Sequence, residues 1–190
     1  MTKNVQRRGW MVVAAAQLAA GVTASAQGSG TTFKATATVK APGKSASVPV
    51  TIHIDRFISD ADRDKVVAAV KGQTAGEPQK TLAAMSDVGY IALGEKRTPL
   101  KYAYARSTGG GRLITVVTAQ PVYFLGGAEA GSKPKEGYDI ALALLVLDGN
   151  DTGDGEFAPA VKLKVDAAGA IVTNDYGSDV VRLTKIAKVN

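Results

Sequence analysis

Two-residue alternation constrains this 190-residue chain more than any other feature in it. Val48, Val50, Ile52 and Ile54 alternate with Pro49, Thr51, His53 and Asp55. Neighbouring strand side chains point to opposite faces, so this spacing gives one apolar face and one wet face. Pro49 has no N–H to donate, which predicts an edge position for the strand. Similar runs, rich in β-branched and aromatic residues, recur at 32–40, 90–93, 100–106, 112–118, 122–125, 161–165, 171–173 and 180–186. Gly- and Pro-containing stretches separate them. EKRTP at 95–99 and STGGG at 107–111 read as turns, and 126–137 reads as a long soft loop. Residues 138–147 include IALALLVL, apolar at both parities. That predicts a strand covered on both sides, although Ala and Leu also suit a helix.

One segment breaks the period. Ser59 is a helix-capping residue followed by Asp60 and Asp62, carboxylates that favour the positive end of a helix dipole. Val66, Val67 and Val70 follow at helical spacing, with Gly72 as the stop. A second short helix starts at Pro78, places Leu82 and Met85 on one side, and ends before Gly89. The expected fold is mainly β (α+β): an antiparallel β-barrel or sandwich with a helical hairpin inserted over 59–88. Alternating strand–helix units with a glycine fingerprint are missing, which argues against a nucleotide-binding parallel sheet.

The N-terminus differs in composition. Lys3, Arg7 and Arg8 precede an apolar stretch from Trp10 to Val22, then Ala24-Ser25-Ala26. This is the layout of a secretory signal peptide cleaved after Ala26, which predicts a protein that is exported, either periplasmic or secreted. The apolar stretch is short for a membrane span and is interrupted by Gln17 and Gly21. Arg7-Arg8 ahead of Trp10 is also part of a twin-arginine export pattern, so the route stays open. Residues 27–190 then form a single β-rich domain without a transmembrane segment. Removing 1–26 takes three of the 23 Lys and Arg and none of the 17 Asp and Glu. The remainder carries 20 basic and 17 acidic residues, a net of +3. So small a charge gives no argument for nucleic acid. The chain has no Cys and one His, which excludes thiol catalysis, Cys-ligated zinc, disulfides and a multi-histidine metal site.

Four places carry candidate chemistry. LDGNDTGDGEFAP at 147–159 resembles the start of a calcium loop, with Asp148, Asn150, Thr152 and Asp154 as ligands, Gly153 at the sharp turn and Glu156 nearby. The position for the closing bidentate Glu holds Pro159. Two readings stand: a weak calcium site, the one cofactor the sequence suggests, or a plain acidic turn. Asp60, Asp62 and Asp64 share the same spacing but are better explained by the helix start. His53 and Asp55 fall on one side of their strand, where a carboxylate can orient an imidazole base. No G-x-S-x-G supplies a serine nucleophile. Tyr90, Tyr102, Tyr104, Tyr123 and Phe124 are either core or the lining of a ligand cavity. GGG at 109–111 precedes a strand pattern rather than a helix, so it reads as a hairpin loop and not a phosphate cradle.

VGYIALG at 88–94, KYAYAR at 101–106, GGGRLITVVTAQP at 109–121, GDGE at 153–156 and NDYGSDVVRLTKI at 174–186 carry a resemblance. In these motifs the chain resembles a family of exported bacterial proteins to which no activity is assigned. The resemblance implies export and a single domain, and implies no reaction. Thr118-Ala119-Gln120-Pro121 departs from it, because the family carries a charged pair at the two central positions. If that pair serves a site in the family, the site is missing here.

The functional expectation is an exported non-catalytic β-rich module that binds a small ligand, with Tyr90, Tyr102 and Tyr104 as candidate contacts, or a surface partner of unknown identity. The alternatives are a hydrolase using His53 and Asp55, and a calcium-binding protein using 148–156.

Overall fold

The computed structural model describes residues 30–41, 44–72, 74–122, 136–176 and 181–189. The expected signal sequence at 1–26, Tyr123, Phe124 and most of the 126–137 loop lie outside the described residues.

Ten strands and two helices follow in chain order. They are β1 (Thr31–Ala41), β2 (Lys44–Ile54), α1 (Asp60–Lys71), α2 (Glu77–Ala83), β3 (Gly89–Leu93) and β4 (Lys96–Leu100), then β5 (Tyr102–Thr108), β6 (Gly111–Val117), β7 (Ile140–Asp148), β8 (Thr152–Val165), β9 (Ile171–Tyr176) and β10 (Val181–Val189). The strands form one antiparallel sheet in the order β4-β3-β2-β1-β10-β8-β7-β6-β5, with β9 added on β8. The sheet curls into a nearly closed barrel, and the helices are inserted between β2 and β3. Of the two expected architectures, the barrel is the one formed.

Period two decides what faces inward. Phe33, Ala35, Val50, Ile52, Ile54 and Ile91 point into the barrel from β1 to β3, and all are buried. Ile114, Val116, Ala143, Leu145, Phe157 and Leu183 meet them from the other wall. Each such side chain contributes about 1.5–3 kcal/mol by leaving water. Two glycines let the wall close tightly. A Cβ on Gly155 would lie 2.2 Å from the Leu144 carbonyl oxygen, and one on Gly89, at φ 148°, would lie 2.0 Å from the carbonyl oxygen of His53.

The barrel seam lies between β4 and β5. The Asp55 and Val88 N–H groups extend the β2–β3 and β3–β4 ladders to the Val88 and Leu100 carbonyls, and the Ile58 N–H crosses to β5 at the Ala103 carbonyl. Asp55, Ile58 and Val88 flank the helical insertion. Helix α1 starts where the sequence predicts, with the Ser59 hydroxyl accepting from the Asp62 N–H. Helix α2 carries Pro78 in its first turn, and Lys101 Nζ anchors its end through the Met85 carbonyl and Asp87.

A second layer covers the outward face of β5–β7. Beyond Val161, β8 leaves β7 and pairs only with β9. This extension turns over at Asp166–Ala170, where the Asp166 carboxylate accepts from the N–H groups of Ala168 and Ala170. Its tip reaches β5, where Arg106 donates to the Ala168 carbonyl at 3.4 Å. Helix α1 meets the same face through Arg63 and Tyr104. The first half of β7 is therefore covered on both sides, as IALALLVL predicts, while Val146 near its end is 59% exposed.

Three local expectations change. KRTPL at 96–100 is strand β4 rather than part of a turn, since the turn is Gly94-Glu95 and Pro99 needs no donor at a sheet edge. Pro49 is not on an edge strand. It pairs with Thr36 of β1, but β3 begins pairing only at Val50, so no ladder bond is lost. Residues 152–156, read as loop, open β8. Their alternation was hidden because the inward positions are Gly153 and Gly155.

Candidate functional site

The acidic stretch is a hairpin turn that satisfies its own carboxylates. Asp148 accepts from the N–H groups of Asn150 and Thr152 and from the Thr152 hydroxyl, each at 2.9 Å. Those bonds, the Thr152 N–H first, hold its carboxyl below the usual carboxylate range. Asp151 takes a left-handed conformation at φ 60° and pairs with Arg112 at 2.8 Å and Lys188 at 3.8 Å. This cluster closes one end of the barrel, where the Arg112 guanidinium lies over the Phe33 ring. Asp154 pairs with Arg182, and Glu156 is exposed along β8. The five calcium candidates, Asp148, Asn150, Thr152, Asp154 and Glu156, are thus spread along a turn and a strand. Among the described residues no group of three or more acidic or histidine side chains converges on a metal position. Asp62 is likewise occupied, accepting from the Ser59 hydroxyl and pairing with Lys65.

His53 and Asp55 do meet. His53 Nε2 lies 3.0 Å from Asp55 Oδ1, and His53 Nδ1 lies 2.7 Å from the Thr32 hydroxyl. With the ring neutral, the carboxylate requires the proton on Nε2, so Nδ1 accepts from Thr32. The imidazole stacks on Tyr90 at 5.2 Å, and Arg97 covers that tyrosine at 4.5 Å. Cross-strand register builds the row, since Thr32 is opposite His53 and His53 is opposite Tyr90. Thr32 is a hydroxyl that sequence reasoning missed, because only strand register makes it a neighbour of His53. The row lies on the outward face of β1–β3, apart from the recesses described below.

The three candidate tyrosines do not share a site. Tyr90 belongs to the histidine row. Tyr102 and Tyr104 sit together on the outward face of β5, with ring centroids 6.4 Å apart. Arg63 donates to the Tyr104 hydroxyl, which donates to Asp60 at 2.9 Å. Arg63 also binds Asp64, and these contacts raise its already high pKa. Tyr102 is fully buried, and burial pushes its phenol well above the ordinary range. A narrow recess of about 20 Å³ lies among Tyr102, Tyr104, Arg63, Arg106 and Thr115 beneath the β8–β9 tip.

The larger space is a cleft of about 510 Å³ between the helical hairpin and the β8–β9 extension. Val70, Ile140, Val161 and Leu163 supply apolar lining, and Lys71, Lys162 and Lys164 supply positive charge. Lys162 Nζ also lies 4.7 Å from the centre of the Tyr138 ring, while Asp175 accepts from the Tyr138 hydroxyl and raises its pKa. Among the described residues Asp139 is the one acidic residue of the lining. Lys162 and Lys164 alternate with Val161, Leu163 and Val165 in the sequence, which reads as an ordinary amphipathic strand, so nothing in the primary structure marks them as site residues. A third recess, of about 430 Å³, lies beside Arg56, Lys65 and Met85.

Thr118 of the Thr118–Pro121 stretch is buried, accepting from the Ala141 N–H and donating to the Gln120 carbonyl. Among the described residues no helix is long and apolar enough to cross a membrane. No protein-family model, curated protein or solved structure matches this chain.

Proposed function

We propose that this protein is an exported, non-catalytic binding module whose cleft takes a small amphiphilic anion, an apolar body carrying a carboxylate or similar head. The carrying observation is the 510 Å³ cleft, with aliphatic side chains in its lining and three lysines against one aspartate. Its volume falls in the range of small-molecule sites, which are mostly apolar with a few polar groups that fix orientation. Export rests on the basic start, the apolar stretch and Ala24-Ser25-Ala26.

Calorimetry with dodecanoate, dodecanol and dodecyltrimethylammonium tests this reading. Dodecanoate binds, dodecanol binds more weakly and the cation does not bind. Lys71→Gln and Lys164→Gln each weaken dodecanoate roughly fivefold, the equivalent of about 1 kcal/mol for an exposed charge. Equal affinity for all three probes, or none for any, overturns the proposal.

A hydrolase reading has one observation in its favour, the hydrogen-bonded Thr32–His53–Asp55 series. It requires His53→Ala to abolish turnover of an ester or peptide substrate. Unchanged turnover removes it.

A further inference from the structure

The narrow recess under α1 holds polar groups that the protein itself leaves unmatched. Tyr102 is 1% exposed and Thr115 is 4% exposed, and neither hydroxyl has a hydrogen-bond partner among the described residues. Buried hydroxyls in native structures are nearly always satisfied by protein, by ordered water or by an ion. The Tyr102 phenol stays protonated far into the alkaline range because it is buried, so it is a donor wherever the protein is folded.

The surrounding charge selects among the candidates. Arg106 makes one hydrogen bond, to the Ala168 carbonyl, and has no carboxylate partner among the described residues. Arg63 contributes a second guanidinium, bonded to Asp64 and Tyr104. The Tyr104 proton is committed to Asp60. None of the described residues lining the recess is acidic. The acceptors in the lining, the Ala168 carbonyl and the Tyr104 hydroxyl, are already used by Arg106 and Arg63, so donors and positive potential predominate. A volume of about 20 Å³ admits one water-sized body and excludes tetrahedral oxyanions.

We propose that this recess binds a single halide ion, chloride in ordinary media, held by the Tyr102 and Thr115 hydroxyls and by Arg106. The ion satisfies both hydroxyls and the unpaired guanidinium at once. Because residues 168–171 form one wall, it also fastens the β8–β9 tip against β5 and β6. The same extension lines the large cleft, so the ion steadies that cleft from behind. The inference stands whether or not the cleft takes an amphiphile.

The test is thermal unfolding of the full chain at constant ionic strength in chloride, bromide, gluconate and sulfate, with ³⁵Cl line broadening as a direct readout of binding. Chloride and bromide raise the midpoint by a few degrees over gluconate and sulfate, saturating with concentration, as a ligand of the native state must. Arg106→Gln and Tyr102→Phe abolish both the increment and the broadening. Tyr102→Phe keeps the ring volume, so it folds in gluconate and decides the matter if Arg106→Gln does not fold. Equal midpoints in all four salts without broadening overturn the proposal. So does a Tyr102→Phe protein whose midpoint lies below that of wild type by the same amount in chloride as in gluconate, which is the signature of a recess that holds water only.

Discussion

The two faces of the β5–β7 wall are built on different principles. Its inward face carries Ala103, Ile114, Val116, Ala143 and Leu145, all aliphatic and all buried. Its outward face carries Tyr102, Tyr104, Arg106 and Thr115, and the recess lies there. A barrel interior filled by Phe33, Phe157 and branched aliphatics carries, among the described residues, one buried polar side chain, Thr98 opposite Ile91. Space and charge collect instead where a helix and a strand extension lie over the outside of the wall, because two elements of different curvature do not interdigitate as completely as facing strands do. Closing the barrel and the proposed binding thus fall to opposite sides of the same strands.

The comparison is sharpest for stability. Phe157→Ala removes a fully buried ring from the interior and should cost about 3–5 kcal/mol in urea unfolding. Val70→Ala, in the outer layer, should cost about 1–2 kcal/mol from two lost methyl groups, partly offset by better helix propensity. It should also weaken dodecanoate binding, which Phe157→Ala should not do in the fraction that remains folded. A larger loss at Val70 than at Phe157 would mean that the second layer is the principal core and the barrel an accessory. The smallest effect belongs to the acidic turn. Asp148 has its carboxyl held below the ordinary value, so its contribution is full above the unfolded carboxylate range and fades as pH falls through the folded value. The midpoint gap between wild type and Asp148→Asn should therefore be constant near neutrality and close below about pH 4. A gap that opens in acid instead would contradict the hydrogen bonding of that turn.

Much of the barrel was legible from residue spacing. Alternation at Val48–Ile54 marks β2, and Ser59, Asp60, Val66, Val70 and Gly72 mark α1 almost residue by residue. What misled was glycine in the inward register. G-D-G-E reads as a loop until the close approach of Gly153 and Gly155 to β7 shows that glycine is the residue that fits. The site was less legible than the scaffold. Tyr102, Tyr104 and Arg106 fall on one face of β5 by two-residue spacing, and the structure keeps the two rings together. Their companions Arg63 and Thr115 come from α1 and β6, and no spacing rule brings those in. The same holds for Thr32, 21 residues from His53 yet opposite it across two strands.

The seam between β4 and β5 has a further consequence. The chain leaves β2 at Asp55, makes its excursion through both helices and returns at Val88, and near its start the Ile58 N–H bonds to the Ala103 carbonyl of β5. The start of the excursion is thus a buckle across the seam. That bond stands outside the ladders, so the Ile58 amide proton should exchange before those of β1 or β7. Whatever grips the helices from outside tightens the staves within.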